Sequence, residues 1–227
     1  MANRPVFIAT GDRTRLVEVR SVGFEWSSGL SVAQKRRCIS ALHAASGFRD
    51  DILEVSSKSS LALGQALSAF RLPVELADGR CKPLESVYQS AKVFATAGPF
   101  PHVTDLPPVA ARKALQPHAD DRLTKFQLGG RDWPLQPTTA FYDWLYCNAL
   151  RRQPGLVAQL QHFRAFTDIE FNPARAFSCQ AGAVALYLSL QHAGLLRQAL
   201  QCPQDFLATA YAAKEPAAGG GQLMLEL

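Results

Sequence analysis

No Cys-x-x-Cys pair occurs in this chain, and its five cysteines (Cys38, Cys81, Cys147, Cys179, Cys202) are scattered and odd in number. That pattern argues against a disulfide framework or a cysteine-built zinc site and fits a reducing compartment, so a cytoplasmic location is expected. The five histidines (His43, His102, His118, His162, His192) are equally dispersed, with no pair at ligand spacing, and no metal is expected. No glycine-rich loop of the Rossmann or Walker type is present, and a macrodomain-like nucleotide fold is not indicated. Long apolar runs are lacking as well: none is long enough to span a membrane, and the N-terminal run is too short for a signal peptide. There is no internal repeat.

What remains is an ordinary globular composition. With 227 residues, 48% hydrophobic and 19% charged, and a mean hydropathy of −0.04, the chain can bury a substantial core. Residues 1–213 are expected to form a single α+β domain, predominantly helical with a few short strands. Within it, 1–50 reads as an N-terminal hairpin and helix and 51–213 as the core. The glycine-rich stretch 214–227 reads as a flexible tail. A formal net charge of +5 suits a polyanionic partner without demanding one.

Along the chain, Val6–Ala9 and Leu16–Phe24 flank a turn and predict a hairpin. Ser31 can cap a helix running to about Ala45, with Lys35, Arg36 and Arg37 on a side that reads either as solvated or as a phosphate contact. Leu72–Leu76 is strand-like and turns back at Asp78–Gly79. A proline-rich connector follows Gly98, then a short helix near Val109–Leu115. Further on, Thr138 or Thr139 can cap a helix to Leu150, Pro154 opens another, and Ala181–Gln191 and Leu195–Ala213 read as two more.

The stretch from Ser56 to Phe94 carries the chemistry. Pro83 suits the first residue of a helix, and Leu84, Val87, Ala91 and Phe94 recur at helical spacing as a buried stripe. Glu85, Tyr88, Gln89 and Lys92 share a second face, which reads either as solvated or as the floor of a site. Upstream, Ser56, Ser57, Lys58, Ser59 and Ser60 set hydroxyls around one lysine. Near the C-terminal end, Asp168 and Glu170 lie two apart and would share a side if extended. Trp133, after Gly129–Gly130, is either a core plug or a stacking plate for a base.

The order Ser57-Lys58, Leu67-Ser68-Ala69-Phe70, Asp78-Gly79, then Glu85, Tyr88, Gln89, Lys92 and Phe94 resembles the signature of the NADAR family, YbiA-like N-glycosidases acting on ADP-ribose-related substrates. Further patches resemble the subgroup encoded as antitoxins beside DarT-type DNA ADP-ribosyltransferase toxins. These are Phe24-Glu25-Trp26 with Gly29-Leu30-Ser31, Trp133-Pro134-Leu135, Phe141 to Tyr146, and Phe166 to Pro173. The family often has Asn where this chain has Ala69, so any polar contact of that side chain is absent. The resemblance implies a NADAR fold and removal of ADP-ribose from guanine in DNA. ADP-ribosylated DNA would then be the substrate, ADP-ribose the product, and a DarT-type toxin the functional partner. It implies no cofactor and no membrane partner, and the chain is expected to act as a monomer.

Cleaving that bond builds positive charge on the ribose ring, so carboxylates and a proton donor are needed. Glu85 and Asp168 are the natural pair, in either assignment, with Glu170 as the alternative second carboxylate. Lys58 either exchanges into a ring-opened imine as a Schiff base, clamps the diphosphate, or is an ordinary surface lysine. Ser57, Ser68, Phe70, Tyr88, Gln89, Lys92, Trp133 and Glu170 complete the expected substrate contacts; the resemblance assigns Trp133 to the site. Two further readings stand beside this one: an N-glycosidase of phosphorylated ribosyl intermediates such as those of riboflavin synthesis, and a non-catalytic reader or toxin-sequestering protein.

Overall fold

The computed structural model describes residues 1–29, 31–174 and 176–211. The expected tail at 214–227, and the last two residues of the helix expected to reach Ala213, lie outside them. The fold is α+β. The N-terminal hairpin forms as β1 (Ala2–Ala9) and β2 (Val17–Phe24), and α1 (Val32–Ser46) follows behind a Ser31–Gln34 capping box. Then come β3 (Ile52–Glu54), α2 (Ala62–Ala66), β4 (Pro73–Glu75), β5 (Cys81–Pro83), α3 (Leu84–Ser90), β6 (Lys92–Phe94) and β7 (Gly98–Pro99). After a 3₁₀ turn the chain forms α4 (Pro108–Leu115), β8 (Leu123–Leu128), β9 (Arg131–Trp133), α5 (Ala140–Arg151) and α6 (Pro154–Leu160). It ends in β10 (Ala165–Thr167), α7 (Gln180–His192), α8 (Leu196–Ala199) and α9 (Pro203–Ala210).

The main sheet has the order β2-β1-β10-β3, with the β10–β3 pair parallel and the others antiparallel. Alternation along each strand separates its two faces. Val6, Ile8, Ile52 and Ala165 pack with Cys38, Ile39 and Leu42 of α1. Leu53 and Phe166, one residue along, join the larger core around α5 and α7, with Phe7 packed against it. The strands β3 and β10 therefore run between two cores, and the residues at their C-terminal ends, Glu54 and Thr167, are drawn inside.

Two local expectations change. The helix expected from Pro83 to Phe94 stops at Ser90, because Lys92–Phe94 pair with β8 as a strand, which suits Val93 and Phe94. Every residue of α3 is buried, so its polar face meets protein instead of water. The final helix expected from Leu195 is broken into α8 and α9, since Pro203 cannot continue a preceding helix and instead begins a new one. Three sheets, one of two strands and two of four, occur among the described residues, more strand organisation than the sequence predicts.

The hairpin β4–β5 turns at Gly79, where φ is +81°, and delivers the chain directly into α3. The Leu84 amide donates to Leu72 O and the Glu85 amide to Ala69 O, both at 2.9 Å, which fixes the first turn of α3 against the Ser68–Leu72 segment. Gly64 of α2 meets β3 closely: a Cβ there would lie 2.0 Å from the Glu54 carbonyl and 2.4 Å from Ser59 Oγ. Gly64→Ala should therefore cost about 1–3 kcal/mol, read as a lowered Tm; an unchanged melting curve would show that this contact relaxes without cost.

Candidate active site

A cavity of about 680 Å³ opens between the ends of β3 and β10, the Ser56–Phe70 segment, α3 and α4. On one wall Glu85 is almost fully buried, with its side chain 3% exposed. Its Oε1 accepts from Arg112 Nε at 2.5 Å and from Gln89 Nε2 at 2.9 Å. The Arg112 guanidinium, brought in by α4, also lies 5.1 Å from the Phe70 ring centroid. Among the described residues both donors go to one oxygen, which leaves Oε2 for a ligand.

A second wall is built on a carboxylate that does not line the cavity. Glu54 is buried, and it accepts from Ser56 Oγ at 2.6 Å, Thr167 Oγ1 at 2.7 Å and the Ile169 amide at 2.9 Å. Because the Thr167 hydroxyl donates to Glu54, His43 Nε2, 2.9 Å away, must donate to Thr167. Burial lowers the pKa of His43 to about 4, which keeps the ring neutral for that role. The Ser56 hydroxyl oxygen in turn accepts the Lys58 amide at 3.1 Å. Asp168 sits beside this network and lines the cavity, accepting from the Glu170 amide at 3.0 Å and Gln180 Nε2 at 2.9 Å. Gln180 Oε1 takes the Ala69 amide at 2.8 Å, and Ala69 O takes the amide of Glu85.

A belt of hydrogen bonds, joined at Asp168–Ile169 and at Ala69 by the backbone itself, therefore runs from Lys58 through Ser56, Glu54 and Ile169 to Asp168, then through Gln180 and Ala69 to Glu85. Ala69 acts in it only through its backbone, so the missing asparagine side chain leaves these links intact. Burial, and then the neighbouring Glu54 charge, push the Asp168 carboxyl well above the ordinary carboxylate range. Burial likewise raises Glu54, to about 7, against the pull of its three donors. With more donors holding its charge, Glu54 is the better site for the pair's negative charge, and Asp168 keeps the proton.

The third wall is cationic and aromatic. Arg4 of β1 and Lys35 of α1 each place their charge 5.2 Å from the Trp26 ring, and Lys35 pairs with Glu170 at 3.0 Å. Asp168 and Glu170 both line the cavity although β10 ends at Thr167 before them; Asp168 is buried, while the Glu170 side chain is 43% exposed.

Of the residues expected at a site, Glu85, Lys58, Asp168, Ser57, Ser68, Phe70 and Glu170 all line this cavity. Gln89, Tyr88, Lys92 and Trp133 do not. Gln89 stands behind Glu85 as its donor, and Tyr88 packs between Phe126 at 5.5 Å and Tyr142 at 5.0 Å. Lys92, on β6, is buried with its ammonium 5.1 Å from the Tyr88 ring. Trp133 is 2% exposed and packs on Trp144 and Phe141 as a core plug. The sequence reading missed Arg112, Arg4, Trp26, Gln180 and Glu54. Two of these carried a signal: Trp26 lies in the Phe24-Glu25-Trp26 patch, and Glu54 is a lone acid within Ile52-Leu53-Glu54-Val55.

A buried set of one ion-paired carboxylate, one carboxyl held well above the ordinary carboxylate range and several cations around an aromatic-walled cavity suits cleavage of an anionic glycosidic substrate; among the described residues no cluster of three potential metal ligands occurs. Residues 2–219 match the model of the DarT1-associated NADAR antitoxins, and the chain belongs to that family, which is associated with N-glycosidase activity. No curated protein matches the chain. No helix among the described residues is long and apolar enough to cross a membrane.

Glu54 and Asp168 both hold protons in the folded state at pH values where an unfolded chain has released them. Stability should therefore fall as pH rises from the ordinary carboxylate range towards 7 and above. Glu54→Gln removes one of the two groups, so its Tm relative to the unaltered chain should rise between about pH 5 and about pH 8. A pH-independent difference would show that folding does not raise the Glu54 pKa.

Proposed function

We propose that this protein is an ADP-ribosyl glycohydrolase that removes ADP-ribose from guanine bases in DNA and so reverses the action of a DarT-type toxin. The observation that carries the reading is that two buried carboxyl groups in contrasting surroundings line one cavity, Glu85 beside the Arg112 guanidinium and Asp168 beside a second carboxyl, Glu54. Paired carboxyl groups whose environments drive their pKa values apart divide into an acid and a charge-stabilising base.

In this reading the ribose lies between Glu85 and Asp168. As the bond from C1′ to the guanine nitrogen lengthens, positive charge spreads over the ribose ring and Glu85 stabilises it. Asp168 gives its proton to the departing nitrogen. A water attacks C1′ and its proton passes to Glu85, so free ADP-ribose and an unmodified base leave with all atoms accounted for. The diphosphate finds cations in Lys58, Arg4 and Arg112, and Phe70 or Trp26 supplies an aromatic face for a base. Of the two lysines lining the cavity, Lys35 is engaged by Glu170 and Trp26, whereas no ion pair of Lys58 occurs among the described residues. That leaves Lys58 open to a second route, in which its amine exchanges into the ring-opened imine and water then releases the sugar.

The test is release of free ADP-ribose from an oligonucleotide carrying ADP-ribosyl-guanine. Glu85→Gln should lower turnover by roughly 10²–10⁴-fold with binding retained, and Lys58→Ala should lower it as well. Borohydride trapping of a Lys58 adduct would select the imine route. Tight binding of the modified DNA without any release by the unaltered protein would sink the glycohydrolase reading and leave a reader.

A further inference from the structure

The chain carries 24 Lys and Arg against 19 Asp and Glu, and the two kinds of charge are not mixed evenly. From Trp26 to Arg49 there is no acidic residue, and from Val55 to Val74 there is none either. These two stretches contain six of the cations, Lys35, Arg36, Arg37, Arg49, Lys58 and Arg71, so the rest of the chain holds 18 cations against 19 carboxylates. The formal excess of positive charge thus lies entirely in α1, its flanks and the segment that bears Lys58.

The fold brings these stretches together at the cavity. Arg36 Nε reaches the Lys58 carbonyl at 3.5 Å. From the other side Arg71 Nη1 donates to Gln65 Oε1 at 3.1 Å, and Gln65 Nε2 donates to Ser59 O at 2.8 Å. Arg36 and Arg71 are therefore tied to neighbouring residues of the Ser57–Ser59 lip, with Arg37 next along α1. All three arginines are exposed, and none makes an ion pair among the described residues. In the same stretches of α1 and the Lys58 segment the exposed positions Ser31, Val32, Ala33, Ser40, Ser60, Leu61 and Ala62 are small or uncharged. Solvated faces usually intersperse both signs of charge; a face with one sign and short side chains admits a polyanion to close range.

We propose that this face is a track for the phosphodiester backbone of a single-stranded nucleic acid, whose modified nucleotide turns into the adjoining cavity at Lys58. The inference rests on reading that cavity as an ADP-ribosyl-nucleotide site. A base inside a duplex must leave the stack to reach the cavity, a cost that a single strand does not carry, so a single strand is the form favoured here. The arginines hold the flanking phosphates while the cavity residues contact the adduct, and phosphate contacts position without reading sequence.

Two substrates separate the track from the chemistry: ADP-ribosyl-guanosine, which has no flanking phosphates, and a single-stranded oligonucleotide carrying the same adduct. In the double variant Arg37→Glu/Arg71→Glu, neither residue lines the cavity. kcat/KM on the mononucleoside should stay within about twofold of the unaltered protein, while kcat/KM on the oligonucleotide falls by about tenfold or more at low salt. Binding of an unmodified fluorescent oligonucleotide, read by anisotropy, should weaken in parallel. Its log–log salt slope should become shallower by about 1.4 for the two lost contacts. Arg37→Gln/Arg71→Gln should show the same direction with a smaller change, which guards against misfolding of the reversed-charge variant. Equal affinities and equal slopes for variant and unaltered protein would overturn the track. Release from neither substrate, with salt-dependent oligonucleotide binding that the variant loses, would sink the glycohydrolase reading and leave the track standing.

Discussion

The structure turns on one buried carboxylate, Glu54, and on the need to satisfy it. An acid at the end of a strand enclosed by two cores meets no water, and every lone pair left unmatched there would cost free energy. The chain meets that need by bringing Ser56, Thr167 and the Ile169 amide to it. In doing so it fixes two segments distant in sequence, the Lys58 lip and the loop after β10. The parallel pairing of β3 with β10 makes this possible, since it brings Glu54 and Thr167 into register at the same edge.

From that anchor the rest of the cavity follows by backbone links. Asp168 is held against Gln180, Gln180 against the Ala69 amide, and Ala69 O against the first turn of α3, where Glu85 begins its helix. Backbone atoms make several of these connections, so residue type at positions such as 69 is freer than the geometry is. The electrostatics differ around the ring. Glu85 gains a guanidinium, Asp168 faces another carboxylate, and Glu170 lies nearer solvent with Lys35. Three acids of the same chemistry thus stand in three different surroundings.

Much of this was legible in the sequence because it depends on short-range rules. The hairpin, the Ser31 cap, the turn at Gly79 and the helix start after Pro83 are local events, governed by turn chemistry, capping and alternation. Glu85, Lys58, Asp168 and Phe70 stood out because they are reactive or aromatic types in patterned surroundings. Tyr88, Gln89 and Lys92 were legible as neighbours of Glu85 along a helix, but helical spacing does not say whether that face meets a cavity or a wall of protein. Here it met Phe126, Phe141 and Tyr142, and α3 gave way to a strand before Lys92.

The sequence by itself determined the element boundaries set by proline, glycine and capping residues, the α+β class, and the segregation of positive charge into two acid-free stretches. Only the tertiary structure decided which polar groups converge. Arg112 reaches Glu85 from 27 residues away, Gln180 reaches Asp168 from α7, and Trp133 sinks into the core instead of the cavity. The reason is physical: local sequence sets backbone conformation, whereas ionisation, burial and orientation of a side chain depend on groups contributed by other elements, whose approach only the packing of the whole chain fixes.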